Sequence, residues 1–90
     1  MASKTRKHTD FVGEPMKNKP VSCLPGIGEK AAGKLVAQGY PRASMVLGQF
    51  LVLGQSREPF VAWLQSVAHC NDGQATDCWR ALHEWSVQFL

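Results

Sequence analysis

Two glycines that flank one isoleucine, Gly26 and Gly28, stand directly before a stretch rich in Ala, Lys and Leu. Glycine has no Cβ, so it can adopt backbone angles closed to other residues and lets a ligand approach the main chain closely. The stretch that follows favours a helix, whose first N–H groups lack intrahelical acceptors and lie at the positive end of the helix dipole. These features together predict a site for a phosphate group.

Lys30 and Lys34 are four residues apart, so they share one face of this helix and add positive charge beside the glycines. A tight turn or a helix C-cap would explain the two glycines taken alone. The longer pattern favours the phosphate site and resembles the helix-hairpin-helix motif of DNA-binding proteins, with Ile27 filling the space between two short helices. The residues that carry this pattern are Leu24, Pro25, Gly26, Ile27, Gly28, Ala32 and Leu35.

A nucleotide-binding Gly-x-Gly-x-x-Gly motif does not fit the same stretch. No strand precedes it, and the third glycine is missing. A backbone phosphate site of the predicted kind would hold nucleic acid without reading its sequence.

The hairpin must be positioned by other helices, and glycines, prolines and apolar spacing predict where these lie. Pro15 closes the first helix, Gly39 ends the one after the hairpin, and Ser56 caps one whose first turn holds Pro59. Cys78, Leu82, Trp85 and Phe89 form one apolar stripe on a last helix. The predicted helical segments are 5–14, 21–24, 29–38, 42–53, one that follows Ser56, and one that follows a polar loop at 69–76.

The chain has 90 residues, a formal net charge of +3 and 44% apolar residues. This length predicts a single domain over 1–90, with residues 1–4 as a flexible basic tail and 20–39 as the helix-hairpin-helix. An odd count of three cysteines and the lack of an apolar N-terminal stretch favour a reducing, intracellular compartment over a secreted disulfide framework. No apolar run approaches a membrane span, so direct membrane insertion is not expected.

Cysteine and histidine side chains near the C-terminus invite a zinc interpretation, but they lack ligand spacing. Cys70, Cys78, His69 and His83 contain no Cys-x-x-Cys pair. His8 is predicted to be a surface or capping residue. No nucleophile, base and orienting group stand at a recognisable spacing, so we expect neither an enzyme nor a cofactor.

Four stretches, "KHTDFVGEPM", "LPGIGEKAAGKL", "VLGQFLVL" and "CWRALHEWSVQFL", together resemble the barrier-to-autointegration factor family from Lys7 to Leu90. The resemblance implies a compact, SAM-like all-α homodimer that binds and bridges double-stranded DNA without sequence preference. It also implies LEM-domain proteins, lamins and histones as partners. Residence in the nucleus, on chromatin and at the nuclear envelope, and also in the cytoplasm, is expected on the same grounds.

The resemblance also assigns DNA contacts to residues of this chain. A loop before the last helix is basic in familiar members, whereas Gly73 and Gln74 stand there in this chain, and Lys4 with Arg6 would compensate. The implied contacts are Arg6, Lys7, Gly26, Ile27, Gly28, Lys30, Ala31, Gly73 and Gln74, and Lys34 joins them by its place beside the hairpin.

The segment "VLGQFLVL" carries the family's dimer contact, which implies roles for Leu47, Gly48 and Leu51 with Trp63 nearby. Packing inside the monomer is the alternative for each of these apolar residues. A partner groove for LEM domains would involve Val52 and Leu53. In this chain Gly54-Gln55 replaces a basic pair and Pro59 replaces a leucine, which favours altered partners. The alternative function is a nuclear-envelope adaptor with weakened DNA binding, which the uncharged Gly73 favours.

Phosphorylation near the N-terminus switches this family off, which points to Ser3 and Thr5 here. A phosphate adds a charge of about −1.5 to −2. Placed among Lys4, Arg6 and Lys7, it would cancel their attraction to DNA.

Overall fold

A computed structural model describes residues 5–90, and its described part is helical throughout. The five α-helices are α1 (Arg6–Val12), α2 (Glu29–Ala37), α3 (Ala43–Val52), α4 (Arg57–Ala68) and α5 (Asp72–Phe89), and a 3₁₀ turn at Val21–Cys23 precedes α2. Pro20 and Arg42 form an isolated bridge, the only β-type pairing within this part of the chain. The expected all-α class is confirmed.

The long helix α5 is the centre of the packing, since α1 and α4 lie against it and α2 packs on α4. An aromatic chain joins α3, α4 and the segment after α2: Phe60 lies 5.7 Å from Phe50 and 5.8 Å from Trp63, and Trp63 lies 5.1 Å from Tyr40, measured between ring centroids. Such contacts add to the stabilisation from apolar burial. The hairpin is anchored in the same core by Leu24 and Ile27, which are fully buried.

Most helix ends lie where the glycine, proline and N-cap residues of the sequence predicted them. Gly39, just past α2, has φ +96°, a conformation that glycine favours, and Pro59 stands in the first turn of α4 as expected. Ser56 occupies the N-cap position of α4, although no side-chain hydrogen bond from it is made within the described chain. α1 ends earlier than predicted, because Gly13 closes it before Pro15 is reached.

The expected polar loop at 69–76 is wrong in its second half, where α5 has already begun. Asn71 Oδ1 accepts a hydrogen bond from Gln74 N at 2.8 Å, and Gln74 Oε1 accepts one from Asn71 N at 3.0 Å. This reciprocal capping box satisfies two orphan donors and starts the helix at Asp72. Gly73 and Gln74 are thus first-turn residues of a helix and not loop residues.

The prediction for His8 is also wrong, because its side chain is buried between α1 and α5. His8 Nε2 lies 3.1 Å from Glu84 Oε2, and Trp85 Nε1 donates to the carbonyl of Glu14 at 2.9 Å. Thr5 takes the capping role instead, with Oγ1 accepting from His8 N at 3.0 Å. These contacts fix α1 along the C-terminal half of α5.

The apolar stripe of α5 is buried at Cys78, Leu82 and Trp85, whereas Phe89 stays 37% exposed and stacks on Trp85 at 5.0 Å. Within residues 5–90, no helix has both the length and the apolar character needed to cross a bilayer.

Candidate nucleic-acid interface

Gly26 takes a left-handed backbone conformation, with φ +81°. A Cβ at this position would lie 2.1 Å from the carbonyl oxygen of Gln74 and 3.3 Å from Asp77 Cβ. Only glycine therefore allows the hairpin to rest directly on the backbone of α5. The contact is between residues 48 positions apart in the chain. The turn at Gly26 could be predicted from the sequence, but its contact with Gln74 could not.

Gly28 is a different case, because its backbone does not use the conformational freedom of glycine. Its φ is −85° and its ψ is −172°, which any residue adopts, and a Cβ there would meet no atom within 4 Å. Gly28 is the N-cap of α2, and its carbonyl accepts from Ala32 N at 2.9 Å. The missing side chain leaves the main chain open to an approaching ligand.

The N-terminus of α2 faces this opening. The first N–H groups of a helix have no intrahelical acceptor, and among the described residues no side chain caps them here. Lys30 and Lys34 are both exposed on α2. Glu29, also exposed, is an acidic group in the same first turn, so the electrostatic pull on an anion comes from the amides and from the two lysines together.

Ile27 stabilises the hairpin through its side chain and its carbonyl. The side chain is fully buried, as predicted for the residue that fills the space between the short helices. Its N–H donates to the carbonyl of Leu24 at 3.1 Å, so that donor is already used. Its carbonyl accepts from Lys7 Nζ at 2.6 Å.

Lys7 thereby joins α1 to the hairpin, whereas the contact of Lys7 with DNA that the family resemblance implied stays a prediction. An ammonium group has three donors, so Lys7 keeps capacity for a further acceptor. Arg6 is almost fully exposed, and its Nε lies 3.9 Å from Asp10 Oδ2. Lys4, the other expected contributor, lies outside the described residues, as does Ser3.

Gln74 lies beside the hairpin, since its carbonyl is what a side chain at Gly26 would strike. Its Oε1 and its N–H are both engaged with Asn71 in the capping box. Gly73, next to it, is exposed and supplies no charge. The pattern Asn71-x-x-Gln74 is a capping-box signal that could have placed these residues on a helix from the sequence.

A second surface lies on α3, where apolar side chains remain exposed. Val52 is 78% exposed and Leu51 39%, and a Cβ at Gly48 would meet nothing within 4 Å. Leu47, Leu53 and Trp63 are partly buried against the core. Met45, 41% exposed and seven residues before Val52, lies on the same side of α3 and extends this surface beyond the residues that sequence reasoning chose.

The turn after α3 is held in place by α5. Gly54 has φ +73° and Gln55 φ +63°, and Trp79 Nε1 donates to the carbonyl of Gln55 at 3.0 Å. Gln55 thus keeps a left-handed conformation that is uncommon for a residue with a side chain. Gly54 and Gln55 form an ordered, uncharged turn beside the α3 surface.

Burial raises the pKa of the Cys78 thiol, and a smaller effect in the opposite direction comes from the nearby Lys7 ammonium. Burial also raises the pKa of Cys70. No three His, Cys, Asp or Glu side chains of the described chain come together in a group that could hold a metal ion.

Comparison with known proteins identifies the family of this chain. The family model described as "Barrier to autointegration factor" matches residues 2–89. Barrier-to-autointegration factor A of Xenopus laevis is 47% identical over 90 residues, and the barrier-to-autointegration factor of Drosophila melanogaster is 44% identical over 90 residues, with all of both chains covered in each case. The Homo sapiens protein is 46% identical over 86 residues, which cover 96% of this chain and 97% of the human one. The chain belongs to the barrier-to-autointegration factor family.

Proposed function

We propose that this protein binds double-stranded DNA without sequence preference and bridges two duplexes as a homodimer, with no enzymatic step. The observation that carries the proposal is the open hairpin, where Gly28 leaves the N-terminus of α2 uncovered and Lys30 stands beside it. Family membership supports the same function.

Phosphate groups are the part of DNA that this site fits. Helix N–H groups and lysine ammonium groups bind phosphate oxygens, which are the same at every base pair. No described side chain of the hairpin projects like a groove-reading element, because Ile27 is buried and its two neighbours are glycines. Binding should therefore depend on salt and not on sequence.

Bridging needs two hairpins that face away from each other, and the α3 surface is the means we propose for pairing two copies. A half-buried helical glycine with open space above it, Gly48, lets another backbone approach closely. The apolar side chains of Leu51 and Val52 beside it gain from being removed from water. A homodimer through α3 would use all of these features.

In the cell, we propose that this bridging condenses chromatin and links it to the inner nuclear envelope through LEM-domain proteins. Val52 and Leu53 would form part of that partner groove, next to the uncharged turn at Gly54-Gln55. The partner would accordingly meet an apolar surface with less positive charge than familiar members of the family offer. Lamins and histones belong to the same proposal.

A mobility-shift assay with Gly28→Glu tests the DNA site. The new carboxylate has room in the fold, so the chain should stay folded while an anion is repelled from the α2 N-terminus. We expect binding to fall by at least about tenfold, the scale of one lost charge-assisted contact. Duplexes of unrelated sequence should behave alike, and the affinity of the unmodified protein should fall steeply with salt.

Gln88→Glu is the matched control, since it adds the same charge near the other end of α5, about 20 Å along the helix from Gln74. The control should bind like the unmodified protein. If Gly28→Glu binds DNA as tightly as the unmodified protein, the hairpin is not the DNA-binding site. Gly26→Glu is unsuitable as a test, because its side chain would strike the α5 backbone and disturb the fold.

One observation favours a second candidate, an adaptor at the nuclear envelope that has weakened DNA binding. Gly73 carries no charge, and the Gln74 side chain is engaged in the capping box. Under this alternative, the protein would capture LEM domains at concentrations where it does not shift DNA. Measuring both affinities at physiological salt separates the two functions.

A further inference from the structure

The first turns of α5 lie beside the hairpin. A basic residue, Arg80, lies on the same face of α5. Gly73, Asp77 and Arg80 are spaced by four and three residues, so they line one face of the helix. Glu84 continues that face and contacts His8 of α1. Arg80 therefore lies between the place where the hairpin meets α5 and the place where α1 does.

Asp77 connects Arg80 to the hairpin. A Cβ at Gly26 would lie only 3.3 Å from Asp77 Cβ, and Arg80 Nη1 lies 3.6 Å from Asp77 Oδ1. With standard bond lengths, the Arg80 guanidinium is then at most about 11 Å from the Gly26 Cα. That is about one Debye length in 0.1 M salt, where attraction between exposed charges is largely screened, so Arg80 can contribute to binding only by contacting a phosphate of the duplex itself.

The Asp77 carboxylate is a problem for a phosphate site, because it places a negative charge next to the hairpin. Its side chain is 58% exposed and that of Arg80 is 50% exposed, so the pair stands at the surface where a duplex would lie. A guanidinium can hold one carboxylate oxygen and still donate to a phosphate, since it has five N–H donors. Arg80 thus offsets Asp77 and keeps donors for DNA.

We propose that Arg80 binds a phosphate of the DNA backbone beside the hairpin and supplies the positive charge that Gly73 lacks. This inference rests on the proposed DNA binding. Together with Lys7 on α1 and Lys30 on α2, Arg80 gives each of the three helices around the hairpin one basic contact. The contact positions the duplex and reads no base.

The test is a double-mutant cycle on Asp77→Asn and Arg80→Gln, with affinity for duplexes of unrelated sequence measured over a range of salt. Arg80→Gln should weaken binding roughly fivefold, the scale of one ordinary net hydrogen bond, because the Arg80 side chain is half exposed. It should also lower the slope of log K against log salt by about 1, as expected for one lost phosphate contact. Asp77→Asn should strengthen binding about threefold by removing a like charge.

The double variant decides how Arg80 acts. If Arg80 binds phosphate, Arg80→Gln still weakens binding and still lowers the salt slope when Asp77 is already Asn. If the loss disappears in that background, Arg80 only neutralises Asp77, and the proposed contact is overturned. Circular dichroism of each variant should match the unmodified protein, because exposed ion pairs of this kind contribute little to stability.

Lys17→Gln is the matched control, since it removes one positive charge from an exposed residue beyond the far end of α1. It should leave the salt slope unchanged. An Arg80→Gln variant that behaves like Lys17→Gln would overturn the role of Arg80 alone, with the hairpin untouched. Failure of the unmodified protein to bind DNA, or equal binding by Gly28→Glu, would instead overturn the proposed function.

Discussion

At the scale of single residues, two glycines separated by one position are needed for different reasons. Gly26 is fixed by the fold, because its φ is positive and the Gln74 carbonyl occupies the space of a side chain. Gly28 has ordinary backbone angles and open space, so the fold does not require it. The absence of a side chain there is instead explained by access to the α2 N-terminus.

This difference predicts opposite behaviour of two alanine substitutions. Gly26→Ala should lower the free energy of unfolding by about 3 kcal/mol through strain and overpacking. Gly28→Ala should change it by no more than about 0.5 kcal/mol, because a poorer cap is offset by lower entropy of the unfolded chain. Urea unfolding followed by circular dichroism measures both values, and equal losses would contradict the distinction.

A second residue-scale prediction concerns the buried thiol of Cys78, whose pKa is raised by burial. The folded protein keeps this proton while the unfolded chain releases it near an ordinary thiol pKa of about 8.5. The stabilisation is therefore complete below that pH and declines above it, by about 2 kcal/mol between pH 8 and pH 10. Cys78→Ala should lose this part of the pH dependence in urea unfolding, and an unchanged profile would contradict the assignment.

At the scale of helices, the sequence predicted most elements because glycine, proline and apolar spacing act locally. Gly39 ended α2, and Pro59 fell in the first turn of α4 as its missing N–H allows. The start of α5 was missed because polar residues at 71–76 resembled a loop, although Asn71 and Gln74 held the capping signal. Burial of His8 could not be predicted, since its partner Glu84 lies 76 residues away.

The capping box makes an element-scale prediction. Asn71→Ala removes the acceptor for Gln74 N and should lower the free energy of unfolding by about 1 kcal/mol. Asn71→Asp keeps the acceptor and should preserve stability. Thermal unfolding of the two variants tests the assignment, and equal destabilisation by both would show that the cap contributes nothing.

A second element-scale prediction concerns helix α1, because Thr5 Oγ1 caps it beside Arg6 and Lys7. A phosphate on Thr5 should weaken DNA binding about tenfold at low salt, and less at high salt, through its charge next to those two residues. A semisynthetic protein phosphorylated at Thr5 alone, compared with its unmodified form in a mobility shift, measures the effect. Equal affinities would show that this position is not the switch.

At the scale of the whole molecule, the proposed DNA site and the α3 surface lie on different helices. The hairpin side of the site is built on α2 and α5, whereas Gly48, Leu51 and Val52 belong to α3. Both could be predicted from the sequence, because each has a local signature. It could not tell which apolar residues of α3 stay exposed, since that depends on how α3 packs against the core.

Separation of the two surfaces predicts a variant that binds but does not bridge. Gly48→Glu places a charge in the open space of α3 and should yield a folded monomer by light scattering. That monomer should still shift single duplexes while failing to join two of them in a pull-down. Gly33→Glu, on α2 and equally open, should keep the mass of the unmodified protein, and a Gly48→Glu protein of that same mass would contradict the α3 interface.

The close fit of Gly26 against α5 and the Lys7 contact to Ile27 have a mechanical consequence. Because the hairpin is held by contacts with both α5 and α1, it is already ordered in the free protein, so little conformational freedom is lost on binding DNA. Two protomers joined through α3 would then form a rigid dimer. The angle between the two bridged duplexes would be set by the protein, and tension in one of them would pass directly to the other.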